Sequence, residues 1–315
     1  MKSKASAPGK VILFGEHFVV YGVKAILCAI DKRITVTAEK IPERQIIIKS
    51  KIGNVVSYPN KPIEEVENQL RPFYFLADNM LKKHHDNSGL KITIDSEIPL
   101  GVGLGSSSAC CVAGAAAISG IYETKSKKDI LEMAIEAEKT IFPNTSGADC
   151  TVCTFGGLIQ YDKKIGYSQI DLEPTFHIVI ANSKIEHSTK NVVSDVKQFK
   201  ENKEEKFTEI CNEEAELIDE VLVYLKHNNL DKIGENIKKN QRLLEKIGVS
   251  NDKLNDMIKI ADKFSFGSKI TGAGGGGCIL ALTDKTNMKE TLSKMTEKNF
   301  ECFSARIDFR GLDTF

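Results

Sequence analysis

The chain has 315 residues, 43 basic and 43 acidic side chains for a formal net charge of zero, and an apolar share of 41%. That length accommodates two domains with filled cores, and the balanced charge supplies no bulk attraction for nucleic acid or an acidic membrane surface. No apolar run approaches the ~20 residues that span a bilayer, and Met1-Lys2-Ser3-Lys4 enters a strand pattern without a signal-peptide core, so a cytoplasmic location is expected.

In chain order, Val11–Phe14, Ile34–Ala38, Ile46–Lys49 and Leu90–Asp95 read as strands, rich in β-branched residues with partial alternation. Pro99-Leu100-Gly101-Val102-Gly103-Leu104-Gly105-Ser106-Ser107-Ser108-Ala109 reads as a glycine-rich turn opening into a helix. That helix is small and apolar on most sides, from Cys110 to Ile118, and should be buried, with Gly120 near its end. Lys128–Thr140 places Leu131, Ala134, Ile135 and Glu138 on one helical face, and Glu138 stands where an apolar residue is expected. Phe142-Pro143-Asn144 ends that helix, and Gly156-Gly157 followed by Leu158–Tyr161 reads as turn and strand. Phe176–Ala181 reads as a strand, and Asn191–Asn229 and Leu230–Phe264 as charged helical sequence whose Lys and Glu side chains face solvent. Ser268–Thr271, Cys278–Leu282 and Phe303–Phe309 read as strands around a poly-glycine turn. The change of character near Asp171–Pro174 predicts a domain boundary, giving domains 1–171 and 172–315. Of the eight cysteines, most sit among apolar or small residues, as buried free thiols do. Cys150-Thr151-Val152-Cys153 has no second CxxC and no His cluster near it, which argues against a zinc site.

Four clusters carry chemistry. In the Pro99–Ala109 run, glycines let backbone N–H groups approach an anion, the first helical turn adds unpaired donors, and serine hydroxyls suit phosphate or a divalent metal. The run also suits a serine-capped turn before a buried helix. It lacks the lysine of the P-loop. Ala7-Pro8-Gly9-Lys10-Val11-Ile12-Leu13-Phe14-Gly15-Glu16-His17 sets a lysine before a strand and Glu-His after it, among apolar neighbours. In Pro143-Asn144-Thr145-Ser146-Gly147-Ala148-Asp149, Asp149 is either an ordinary loop or cap aspartate or, held near a lysine, an acid-base group. Lys269-Ile270-Thr271-Gly272-Ala273-Gly274-Gly275-Gly276-Gly277-Cys278 contains a formal GxGxxG, but a strand pattern follows it where a dinucleotide site needs a helix. A loop of so many small residues suits close approach of backbone to a ligand.

Together these clusters resemble the three ordered motifs of the GHMP small-molecule kinase superfamily. Ala7–Gly22 is most similar to the branch whose acceptor is mevalonate: Gly-Glu-His continues into Phe-Val-Val-Tyr-Gly, not into the Thr-Asp-Tyr typical of galactokinases. Asn240–Ser250 resembles the helix preceding the third motif in the same branch. The resemblance covers nearly the whole chain. It implies an α+β, two-domain GHMP kinase fold, with an N-terminal ribosomal-protein-S5-like α/β domain, a C-terminal ferredoxin-like domain and the active site between them.

The resemblance also implies residue roles. ATP would be bound by Lys10, Ser96 and the run Pro99, Leu100, Gly101, Val102, Gly103, Leu104, Gly105, Ser106, Ser107, Ser108 and Ala109. Mg²⁺ would be held by Ser107 and Glu138, which accounts for the carboxylate on the helical face. Asp149 would be the catalytic aspartate and Lys10 its partner. Glu16, His17, Ser146, Asp149, Thr189, Ala273 and Gly274 would line the acceptor. The family's asparagine near the nucleotide has no clear counterpart in Ile46–Asn54. The implied reaction is transfer of the ATP γ-phosphoryl group to the C5 hydroxyl of mevalonate, giving 5-phosphomevalonate in isoprenoid biosynthesis; the implied assembly is a homodimer, with no membrane or nucleic-acid partner. The alternatives are another GHMP kinase, acting on phosphomevalonate or a sugar, and a catalytically silent ligand sensor. The first needs extra basic residues or a sugar-specific aspartate, and the second needs loss of Lys10, Glu138 or Asp149. A nicotinamide-dependent oxidoreductase lacks its strand-GxGxxG-helix unit.

Overall fold

A computed structural model describes residues 1–51, 53–99, 102–186 and 188–315. The first half runs β1 (Lys2–Phe14), β2 (Ala25–Ile41), β3 (Ile46–Ser50), β4 (Gly53–Ser57), α1 (Arg71–Lys83), β5 (Gly89–Ser96), α2 (Ser106–Ser119), α3 (Lys127–Lys139), α4 (Ala148–Phe155), β6 (Leu158–Asp162) and β7 (Gly166–Ile170). The second half runs β8 (His177–Asn182), α5 (Thr189–Asn202), α6 (Glu204–Lys226), α7 (Leu230–Lys246), α8 (Asp252–Ala261), β9 (Gly267–Thr271), β10 (Cys278–Thr283), α9 (Lys285–Glu297), β11 (Glu301–Ala305) and β12 (Asp313–Thr314).

Two sheets organise these elements. The first has the order β12-β1-β2-β5-β3-β4, with β6 and β7 continuing from β2. The long β2 serves two neighbours, pairing with β6 through Ala25–Cys28 and with β5 through Ile34–Ile41. Only the β3–β5 pairing among these is parallel. Helix α2 packs on β1 and β2, and α1, α3 and α4 surround it. Its alanines, cysteines and glycine make a helix apolar on all sides, which is stable only when enclosed; Gly114 lets Phe73 press against it, since a Cβ there would lie 2.9 Å from that ring. Ser126 and Asp129 close a capping box that starts α3.

The second sheet is antiparallel, in the order β11-β8-β10-β9. With helices between β8 and β9 and again between β10 and β11, this is the ferredoxin-like arrangement. Strands β9 and β10 are buried along their whole lengths, and α7, α8 and α9 pack against the sheet.

The expected strand over Phe303–Phe309 is shorter and ends at Ala305. Beyond it, Ile307 bridges to Ile30, and Asp308 is drawn into an ion pair with Arg33. Arg33 also donates to the carbonyls of Ser6, at 2.9 Å, and Gly311, at 2.7 Å. The chain is thereby steered back to the first sheet, where β12 pairs with β1. No helix among the described residues is long and apolar enough to cross a membrane.

Candidate active site

The loop between β5 and α2 runs beside Lys10 of β1. Leu100 and Gly101 lie outside the described residues. Gly103 and Gly105 have φ of +79° and +72°, the left-handed region that glycine enters without steric cost. The Lys10 amide donates to the Leu104 carbonyl at 2.9 Å, and its Nζ donates to the Gly103 carbonyl at 3.3 Å. A Cβ on Gly105 would lie 2.6 Å from Lys10 Cγ, so the loop can sit on this lysine only without a side chain. Ser106 and Ser107 open onto a cleft of about 940 Å³. Ser96 and Val102 line the same cleft, Pro99 is half-buried beside it, and Ala109 is buried in α2. The opposite wall comes from the second half, through Asn182, Lys184 and Gly277.

Beneath the loop, Lys10 Nζ lies 3.1 Å from Asp149 Oδ2; the lysine side chain is 5% exposed and the aspartate 35%. Asp149 sits in the first turn of α4, after Gly147 at φ +75°. Its carboxylate is thus met by the lysine on one side and stands at the start of its own helix. Glu138 of α3 is buried, and its two oxygens accept from the hydroxyls of Ser108 and Thr145. Burial raises its pKa, the two hydroxyl bonds oppose that rise, and Asp149 adds to it. The serine bound to Glu138 is Ser108, whereas Ser107 stands exposed on the cleft wall. Cys111, Cys150 and Cys153 are buried around this group, and burial pushes their thiols well above the usual range. Among the described residues no three His, Cys, Asp or Glu side chains converge as a metal cluster.

Just past the C-terminal end of β1, the Gly15–His17 turn meets the second half. Gly15 has φ +97° and His17 φ +62°. His17 Nε2 lies 2.7 Å from the Ala273 carbonyl. A carbonyl only accepts, so Nε2 carries the proton. Burial lowers the His17 pKa, and in the neutral ring Nδ1 is then the acceptor. Thr271 ties the third motif to β1, accepting from the Ile12 amide at 3.1 Å and donating to its carbonyl at 3.3 Å. The two glycine loops face each other, since a Cβ on Gly272 would lie 3.7 Å from Gly103 Cα. Gly274, at φ +77°, is pressed onto the Val249 carbonyl.

Glu16, expected among apolar neighbours and at the acceptor, is buried at the seam between the first and third motifs. It forms an ion pair with Lys269, the two side chains being 1% and 0% exposed, and its Oε2 has no partner among the described residues. A buried carboxylate is costly without such a cation, and β9 delivers one. Ser146 is exposed beside Asp149; its hydroxyl accepts from the Ala148 amide at 3.3 Å. Ser96 is engaged locally, donating to the Ile98 carbonyl at 3.0 Å. Thr189 is exposed at the start of α5, and among the described residues its hydroxyl makes no hydrogen bond toward the cleft.

Sequence reasoning missed Glu214 and Asn240, and it treated Lys269 only as the start of a motif. Glu214 Oε1 accepts from the Gly15 amide at 2.8 Å, and its other oxygen accepts from Asn240 Nδ2. The signal was present: Glu214 interrupts a buried stripe of Phe207, Ile210, Leu217, Ile218 and Val221, as Glu138 interrupts its own helix face.

The "GHMP kinases N terminal domain" family matches residues 73–157, and "GHMP kinases C terminal" matches residues 221–302. The mevalonate kinase of Pyrococcus furiosus is 35% identical over 307 residues, covering 90% of this chain and 89% of that protein. That of Methanocaldococcus jannaschii is 32% identical over 317 residues, covering 95% and 98%. The crystal structure of the Methanococcus jannaschii mevalonate kinase superposes with a TM-score of 0.86 at 30% identity, covering 97% of this chain and 98% of that one. The similarity runs through both halves and nearly the whole chain, and the chain belongs to the mevalonate kinases of the GHMP kinase family.

Proposed function

We propose that this chain transfers the γ-phosphoryl group of ATP to the C5 hydroxyl of mevalonate, releasing ADP and 5-phosphomevalonate. The observation that carries the reading is the Lys10–Asp149 pair at 3.1 Å, set under one glycine loop and beside the seam with a second. Phosphoryl transfer proceeds through a loose transition state and depends on positioning and charge neutralisation. Asp149 accepts the C5 hydroxyl proton; the hydroxyl oxygen bonds to the γ-phosphorus as its bond to the β,γ-bridging oxygen breaks. Lys10 orients the Asp149 carboxylate through their ion pair and meets negative charge on the transferring group. The backbone of Gly103–Ser108 and the hydroxyls of Ser106 and Ser107 bind the ATP phosphates, and Ser96 lines the nucleotide side. Ala273, Gly274, Ser146, Thr189 and the His17 Nδ1 acceptor surround the acceptor. Glu16 supports that wall through Lys269.

Hydroxyl and carboxylate oxygens are the hard donors that Mg²⁺ takes, usually one or two carboxylates with substrate phosphates completing the shell; Glu138, whose oxygens accept from Ser108 and Thr145, would have to exchange one of those bonds for the ion. Ser107 and Glu138 would hold it, and when bound it supplies charge neutralisation at the β- and γ-phosphate oxygens. We further read residues 1–171 and 172–315 as the two domains, with β12 returning to the first, and the working form as a cytoplasmic homodimer, to be tested by sedimentation.

The direct test is a coupled ADP-release assay with Mg²⁺-ATP against mevalonate, phosphomevalonate, galactose and homoserine, with the product's phosphate located by NMR. Turnover on mevalonate with phosphate on C5 is expected. Turnover on another acceptor would move the substrate assignment within the family, and no turnover with ATP still bound would favour a ligand sensor.

A further inference from the structure

Glu214 lies at the centre of the one buried face of α6, where an apolar side chain would be the cheaper choice: carboxylates are rarely enclosed unless they serve a partner. Its partners are the Gly15 amide and the Asn240 amide, with Lys269 and Glu16 as the charged groups facing it. Gly15 has no room for a side chain, because a Cβ would lie 2.6 Å from the Lys24 carbonyl and 2.7 Å from Ala25 Cα. Two residues later His17 holds a left-handed backbone that a side chain rarely adopts. Such a conformation persists only where its surroundings over-determine it. Here it is gripped from both ends, by Glu214 at the Gly15 amide and by the Ala273 carbonyl at the His17 ring.

We propose that Glu214 is a positioning residue for the acceptor: from α6 it fixes the Gly15–His17 turn, and so the His17 ring that faces the acceptor. This rests on the reading of the acceptor side given above. Glu214 touches no reacting group and acts on the acceptor side, through its bond to the Gly15 amide and its neighbours Lys269 and Glu16. The nucleotide side, with Ser96, Ser106 and Ser107, has no contact with α6 among the contacts described. The two substrates should therefore respond differently to its loss.

The test compares Glu214→Leu with Glu214→Gln in the full chain. Leucine fills the space and strips both hydrogen bonds, leaving the Gly15 N–H unpaired. Glutamine offers Oε1 to Gly15, and a flip of Asn240 presents its unpartnered Oδ1 to the new amide. Leaving buried donors unpaired corresponds to about a ten- to hundredfold effect. Glu214→Leu should raise the KM for mevalonate by about that factor and the KM for ATP by less than about twofold, and Glu214→Gln should restore the mevalonate KM. Amide hydrogen exchange at residues 15–17 should quicken in the leucine variant and not in the glutamine one. If the leucine variant does not fold, Glu214→Met carries the same comparison, its flexible thioether filling the space. A folded leucine or methionine variant with unchanged mevalonate KM overturns the proposal. So does an equal rise in both KM values, or a glutamine variant as impaired as the leucine one. Failure of the functional reading looks different: the unsubstituted chain would then not turn over mevalonate.

Discussion

Removing one partner of the Glu16–Lys269 pair should cost about 3–5 kcal/mol of folding stability. Both side chains are enclosed, at 1% and 0% exposure, so neither can recover hydration when the other is lost. In Lys269→Met the chain volume is nearly kept, but Glu16 loses its donor at Oε1 while Oε2 already has none among the described residues. An unsatisfied buried group costs about 1–3 kcal/mol, and a charged one more; Oε2 is unpartnered in both chains and cancels, so the newly stripped Oε1 together with the uncompensated buried charge accounts for the quoted range. Burial already raises the Glu16 pKa, so the lone carboxyl can escape by taking a proton, and the loss should shrink toward acidic pH. Glu16→Leu together with Lys269→Met replaces the pair by apolar groups and should return to within about 1–2 kcal/mol of the unsubstituted chain. The assay is a double-mutant cycle by urea unfolding at pH 7, followed by circular dichroism and fitted for a two-domain chain. Single variants that each lose less than about 1 kcal/mol, with additive effects, would show the pair to be solvated. The first and third motifs would then not be joined by a closed seam.

Asp149→Asn should lower turnover by ~10²–10⁴, the usual contribution of a positioned base, while calorimetric ATP binding stays near normal; turnover close to that of the unsubstituted chain would refute its role. Gly105→Ala must place a Cβ 2.6 Å from Lys10 Cγ at a φ of +72°, displacing the lysine from Asp149. A misplacement of ~1 Å at a reacting group costs about 10²-fold, so kcat should fall by about that factor with only a small change in thermal midpoint. Burial raises the Glu214 pKa from 4.5 to about 7, with Asn240, Lys269 and the Gly15 amide opposing the rise and Glu16 adding to it. The folded pKa lies above the unfolded one, so folding favours the protonated carboxyl: that contribution is complete below pH 4.5 and lost as pH rises to about 7. Measured against Glu214→Gln, which does not titrate, the unsubstituted chain should lose roughly 3 kcal/mol across that window, read by urea unfolding at several pH values.

The sequence by itself determined what depends on neighbours along the chain. The Pro99–Ala109 run had to be a loop opening into a buried helix, because alternating glycines cannot hold a regular element and the small residues after them leave no polar face. The glycine loop at 272–277 could be separated from a dinucleotide site because β-type sequence follows it, and β10 is indeed a strand. Glu138 announced itself as a carboxylate on an apolar helix face. Tertiary structure decided what depends on partners far apart in sequence. The Glu16–Lys269 pair spans 253 positions and the Glu214–Gly15 bond 199, and no local pattern states which carboxylate meets which cation. That choice follows from β1 and β9 being tied through Thr271 and Ile12, which brings the first and third motifs together. The same holds for β12, only two residues long and too short to show periodicity, whose place beside β1 is fixed by Arg33 gripping Asp308 and Gly311. Propensity and patterning act within a few residues, whereas the price of burying a charge is settled only where the whole fold closes around it.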